Sequence, residues 1–226
     1  METKPDTTPV TEADRAVEEM LRARLAAARP DDAILGEELG TVGHGRRRWI
    51  VDPIDGTQGY ARGIPVWATL LALVEDDVVV AGVVSAPALG ARWWAARGGG
   101  AWRDGTRVAV SRVARLEDAH LAYSSYPWFE REGIGDEFLD LARRCWRTRG
   151  FGDFWSHMLV ADGSVDVAVE VGGLAPWDLA ALQVVVEEAG GRFTDLAGVA
   201  HFDGGNAVSS NGLLHDEVLR SLTPRG

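Results

Sequence analysis

A chain of 226 residues with 46% hydrophobic and 25% charged side chains has the balance of a globular protein with a sizeable core, which excludes a disordered or fibrous chain. Its formal net charge of −11 opposes nucleic acid and anionic lipid, so neither is expected as a partner. The single Cys145 excludes an internal disulfide.

No apolar run reaches the length of a membrane span, because those at 65–74 and 78–87 are separated by Glu75, Asp76 and Asp77. The first residues are polar and acidic, unlike a signal peptide, and a cytoplasmic location is expected.

Thr11 is placed to cap a helix over 12–29, with Asp14 in the manner of a capping box and Pro30 as the stop. Val17, Met20, Leu21 and Leu25 form its apolar stripe. Ile34-Leu35-Gly36 and Trp49-Ile50-Val51 predict short buried strands that deliver the chain to Glu37-Glu38 and to Asp52. The basic run Arg46-Arg47-Arg48 between them reads as a solvated loop. Apolar runs at 66–74, 78–85 and 91–96, turned by Asp76-Asp77 and by 87–90, predict an antiparallel meander, and Gly98-Gly99-Gly100 a hairpin tip.

The pattern resets over 109–119, which divides the chain into expected halves 1–115 and 116–226. The second half reads as a strand at 120–125, helices at 135–146 and 154–163, and a strand at 165–171. A helix at 178–190, two short strands and a last helix at 215–222 follow. Strands alternating with helices imply an α/β layered arrangement.

The segment 49–57 concentrates the chemistry. Its apolar triplet drives a strand into the core, and Pro53 is expected to end the ladder after Asp52 so that the chain leaves the sheet. Asp52 and Asp55 can then share hard cations, with the Ile54 carbonyl as a further oxygen ligand. Gly56 permits close approach of the backbone to a ligand, and a helix opening at Thr57 would turn N–H groups toward a phosphate. Taken singly, each residue has a plainer reading. Asp52-Pro53 and Asp55-Gly56 are turn pairs, Asp14 and Asp178 are capping acids, and Glu37 is a solvated acid. His44, His120, His157, His201 and His215 lack metal-ligand spacing and are assigned to surface or core. Together, carboxylates at element ends form an all-oxygen donor set suited to Mg²⁺.

The string Asp-Pro-Ile-Asp-Gly-Thr at 52–57 resembles the first signature of the inositol monophosphatase family. Pro176-Trp177-Asp178-Leu179-Ala180-Ala181-Leu182, closing with Glu187-Glu188-Ala189-Gly190-Gly191, resembles the second. Thr11-Glu12-Ala13-Asp14 and Gly36-Glu37-Glu38 complete the series in order. The resemblance implies a layered αβαβα sandwich of the inositol monophosphatase / fructose-1,6-bisphosphatase type. An α+β half and an α/β half would share the active site, and the family's usual helix ahead of Lys4-Pro5-Asp6 is expected to be missing. It also implies a homodimer and hydrolysis of a small phosphate monoester with two or three Mg²⁺ ions. Glu37, Asp52, the Ile54 carbonyl, Asp55 and Asp178 would be the ligands. Asp14, Thr57 and Glu37 would activate and orient water, while Asp55, Gly56, Thr57 and Asp178 would meet the phosphate end of the substrate.

Segments 65–70, 85–89, 93–98, 152–154 and 211–215 are similar to the histidinol-phosphate phosphatase branch, which implies L-histidinol phosphate as substrate. Glu170 looks like the family's acid for the organic part, and Asp153 is a second acid for a histidinol ammonium or imidazole. Gln58-Gly59-Tyr60 and the additional residue around Gly172-Gly173 depart from the family pattern. The alternatives are an inositol, sugar or nucleotide phosphatase, and a non-catalytic regulator that binds phosphorylated ligands.

Overall fold

The computed structural model describes residues 12–224 and, ahead of them, two short paired strands, β1 (Glu2–Thr3) and β2 (Pro9–Val10). Thr11 and the Lys4-Pro5-Asp6 segment lie outside the described residues.

Helix α1 (Glu12–Ala28) is built from strong helix formers and stops before Pro30. Its buried positions are Asp14 and Glu18, one turn apart, whereas Val17 and Leu21 are half-buried and Met20 is 47% exposed. The apolar stripe is therefore not the buried face, contrary to the expectation from sequence. Burial of Glu18 is compensated by hydrogen bonds from the Glu38 N–H (2.8 Å), the Leu39 N–H (3.2 Å) and Arg22 (2.7 Å).

The first sheet contains β3 (Ala33–Gly36), β4 (Gly40–Val42), β5 (Arg47–Asp55), β6 (Ala68–Glu75), β7 (Val78–Ala86), β8 (Ala91–Ala96), β9 (Gly100–Arg103) and β10 (Thr106–Val108). Their order is β10-β9-β8-β7-β6-β5-β3-β4, and all neighbours are antiparallel except β3 and β5. The expected meander is present, with Asp76 and Asp77 at φ 49 and 60 in the tight turn between β6 and β7. A four-residue helix, α2 (Thr57–Tyr60), separates β5 from β6.

Pro53 does not end β5. The strand runs on to Asp55, and pairing with β6 passes from Asp52↔Leu70 directly to Asp55↔Ala68, so Pro53 and Ile54 form a bulge. Proline lacks only the donor; its carbonyl still accepts the Thr69 hydroxyl at 2.8 Å. In a regular strand residues three apart face opposite sides, and the bulge removes that constraint for Asp52 and Asp55.

The second sheet takes β11 (His120–Tyr123), β12 (Arg147–Gly150), β13 (Val167–Glu170), β14 (Arg192–Thr194) and β15 (Ala207–Ser210) in the order β12-β11-β13-β15-β14. Between them run α3 (Tyr126–Arg131), α4 (Gly135–Arg144), α5 (Asp153–Ala161) and α6 (Pro176–Glu188), and α7 (His215–Leu222) follows. Two of these were not foreseen. β12 is an edge strand of sequence Arg-Thr-Arg-Gly with no apolar alternation, and α3 is a short helix with a proline in its first turn.

The layers are α1, the eight-stranded sheet, α5 with α6, the five-stranded sheet, and α4 with α7, which is an αβαβα sandwich. Eight consecutive residues of α6, Leu179 to Val186, are buried because the helix is covered on both sides. At Gly82 of β7 a Cβ would lie 2.7 Å from Val184 Cγ1 and 2.9 Å from the Ala181 carbonyl, so glycine sets how closely α6 approaches the sheet. Among the described residues no helix is long and apolar enough to cross a membrane.

Candidate active site

Three carboxylates meet between the sheets. Asp52 and Asp55 come from the β5 bulge and Asp178 from the first turn of α6, and each offers an oxygen within 4.8 Å of the others. Asp178 Oδ2 accepts the Ala175 N–H at 2.6 Å, and Asp55 Oδ2 accepts the Phe154 N–H at 2.7 Å, so two backbone donors aim these side chains. Asp52 is 1% exposed, and its Oδ1 is buried with no hydrogen-bond partner.

The electrostatics of this group are unfavourable as they stand. Burial, followed by repulsion from Asp55, Glu37 and Asp178, pushes the Asp52 carboxyl well above its usual range. Asp55 is raised likewise by burial and then by Asp153, Asp178 and Glu170, and burial first of all pushes Asp178 up to about 7. An orphaned buried oxygen amid mutually repelling carboxylates, with no nitrogen or sulfur donor, fits a hard divalent cation.

The remaining predicted residues fall around this centre at different distances. The Ile54 carbonyl accepts the Thr57 hydroxyl at 2.8 Å, which fixes the two oxygens relative to each other. Gly56 takes φ 83, and a Cβ there would lie 2.9 Å from the Val66 carbonyl and 3.3 Å from Asp153 Oδ2. Glu37 follows β3 directly, lines the cleft and acts by its charge on Asp52 and Asp178, but it is not one of the three converging carboxylates. Asp14 is fully buried on α1, which packs against β5, and it too stands outside that group.

The cleft has a volume of about 450 Å³. Glu37, Gly56 and Thr57 line it together with the acids Asp153 and Glu170 and the aromatic side chains of Trp128 and Phe151. Burial and the charges of Glu170 and Asp178 push Asp153 up to about 7. The unusual Gly172-Gly173 pair has a physical reason at its first member. Gly172 has φ 115, and a Cβ there would come within 2.6 Å of the Trp128 indole.

Two residues of this region have no part in the site as read from sequence, although His157 is assigned there to surface or core. Glu18 holds the turn that presents Glu37, and its only sequence signal is its place one helical turn after Asp14. His157 is wholly buried and hydrogen-bonds Glu170 at 3.1 Å; its position four residues after Asp153 puts both on one side of α5.

Residues 1–224 match the profile of the Inositol monophosphatase family. The chain belongs to this family. It is 53% identical over 234 residues to a histidinol-phosphatase of Streptomyces coelicolor, covering 100% of this chain and 88% of the relative. It is 55% identical over 228 residues to the Mycobacterium tuberculosis histidinol-phosphatase, covering 98% and 87%. Among solved structures it superposes on a Thermotoga maritima IMPase with a TM-score of 0.88 at 38% identity, covering 97% of this chain and 85% of the other. As a member of the inositol monophosphatase family with these relatives, it is a metal-dependent phosphomonoesterase.

Proposed function

We propose that this family member hydrolyses L-histidinol phosphate to L-histidinol and phosphate. The observation that carries the proposal is the concentration of acids at one cleft: Asp52, Asp55 and Asp178 converge as a cation-demanding triad, and Asp153 and Glu170, whose charges act on Asp55, line the cleft beside them. A phosphate needs cations beside it, whereas a carboxylate pair favours a substrate whose organic part is positively charged. Histidinol carries an ammonium and an imidazole; inositol carries neither. The names of the two bacterial relatives support the same choice.

Asp52, Asp55 and Asp178, with Glu37 and the Ile54 carbonyl, would hold two or three Mg²⁺ ions. When bound, such ions neutralise phosphate oxygens, lower the pKa of water and stabilise the leaving oxygen. The chain's own groups do the rest. Thr57 and Asp14 orient the attacking water, and the backbone at Gly56 and Thr57 meets the phosphate. Phe154 keeps Asp55 from turning away, and Asp153 and Glu170 hold the organic part. No covalent enzyme intermediate is required. Burial pushes the Cys145 thiol up to about 11, which removes it as a nucleophile. The reading carries with it a division into halves 1–115 and 116–226, a cytoplasmic location and a homodimer.

Steady-state assay of L-histidinol phosphate against inositol 1-phosphate, with Mg²⁺ or chelator, tests the proposal. Preferential turnover of the histidinol ester that vanishes on chelation is expected. Equal turnover of the two esters, or turnover indifferent to chelation, would overturn it.

A further inference from the structure

Behind the acidic wall runs a line of buried polar groups that the hydrolytic reading leaves unused. His157 of α5 is 0% exposed; its Nε2 lies 3.1 Å from Glu170 Oε2 on β13, and its Nδ1 lies 2.8 Å from Ser209 Oγ on β15. Ser209 is itself 0% exposed, and the His157 ring packs on Phe193 with centroids 5.6 Å apart. Among the described residues no other hydrogen bond reaches the Glu170 carboxylate.

The direction of the line follows from donor and acceptor chemistry. An ionised carboxylate only accepts, so Nε2 carries the proton. In the neutral ring Nδ1 then accepts, and the Ser209 hydroxyl donates to it. Turning the ring over would break both bonds at once, so tautomer and orientation are fixed together.

Glu170 needs support of this kind. Its charge acts on Asp55, Asp153 and Asp178, and theirs on it, so an unrestrained glutamate would swing away from its neighbours. We propose that His157 is a positioning residue that holds the Glu170 carboxylate toward the cationic organic part of the substrate, with Ser209 fixing the ring's tautomer. The inference rests on the reading of Glu170 given under Proposed function and assigns His157 no contact with the reacting atoms.

A merely packed histidine and a positioning one differ in which substrate feels its loss. The test compares kcat and KM for L-histidinol phosphate and for p-nitrophenyl phosphate, whose organic group is uncharged, at saturating Mg²⁺. The proteins are the wild type, His157→Asn, His157→Gln and Ser209→Ala. A glutamine amide reaches the place of Nε2, whereas an asparagine amide reaches only that of Nδ1. His157→Asn is expected to raise KM for the cationic ester about tenfold, with kcat within about threefold and KM for the neutral ester unchanged. His157→Gln is expected to stay within about threefold of wild type for both esters.

Ser209→Ala leaves the ring and its packing in place, so it decides the matter should His157→Asn not fold. A rise of about threefold in KM for the cationic ester alone is expected there. Unchanged KM in His157→Asn or Ser209→Ala, or a change common to both esters, would overturn the role of His157. A wild type with no preference for the cationic ester would instead overturn the reading of Glu170, and this inference with it.

Discussion

The carboxylate of Asp55 accepts a 2.7 Å hydrogen bond from the backbone N–H of Phe154, which ties the bulge of one sheet to the first turn of the helix that leads toward the other. Phe154 is fully buried in the main core, so the bond has a rigid anchor. Asp153, the residue before it, lines the cleft. A candidate cation ligand and an acid of the cleft are thereby held as one unit, and Gly56 makes room for their approach by lacking a Cβ.

Asp52 would be central to the proposed cation centre. Asp52→Asn is expected to lower kcat by about 10³-fold or more while leaving the fold intact. Because burial and then neighbouring carboxylates raise its pKa, the substitution removes repulsion, and the cation-free variant is expected to melt no lower than wild type. Turnover assays with thermal melts in chelator check both outcomes.

Glu18 acts at a distance. Glu18→Ala would strip partners from the Glu38 and Leu39 N–H groups and from Arg22, a loss of roughly 3 kcal/mol. It would also loosen the turn that presents Glu37. Urea unfolding should report the lost stability, and the Mg²⁺ concentration for half-maximal activity should rise. Gly36→Ala is expected to act in the same direction, since its Cβ would fall 2.0 Å from Glu18 Oε1.

Asp153 is assigned to the organic part of the substrate rather than to the phosphate. Asp153→Asn is expected to raise KM for L-histidinol phosphate about tenfold and to leave KM for p-nitrophenyl phosphate unchanged. Kinetics with both esters check the assignment, and parallel losses on both would remove it.

His215 sets a pH limit on the fold. It is buried between Thr194 and Ser210, at 2.9 Å from each hydroxyl, and burial above all lowers its pKa from 6.5 to about 4. The unfolded chain therefore takes up this proton first. The contribution to stability is complete above pH 6.5 and declines as pH falls toward 4, by up to about tenfold in the folding constant per pH unit. Denaturation at pH 7 and pH 5 should show a steeper loss in wild type than in His215→Gln.

The α/β layering is legible in the alternation of strands and helices, whereas the αβαβα order and the grouping of Asp178 with Asp52 and Asp55 rest on the resemblance of 52–57 and 176–191 to the family's signatures. An apolar triplet followed by Asp52 and Asp55, and an acid at the start of α6, need no distant partner to be noticed. β12 was invisible because an edge strand of arginine, threonine and glycine has no buried face. Glu18 was invisible because its partners are backbone groups about twenty residues away, and helical periodicity pointed to Val17 and Leu21 instead. The bulge at Pro53 was misjudged for a similar reason. A proline's missing donor is local, whereas the Thr69 hydroxyl that holds its carbonyl comes from the next strand.

The sharing of divalent cations by Asp52, Asp55 and Asp178 is tested most directly by diffraction from crystals grown with Mn²⁺. Anomalous peaks bridging oxygens of all three side chains, and absent from Asp52→Asn crystals, are expected. Active protein with no cation between these carboxylates would contradict it.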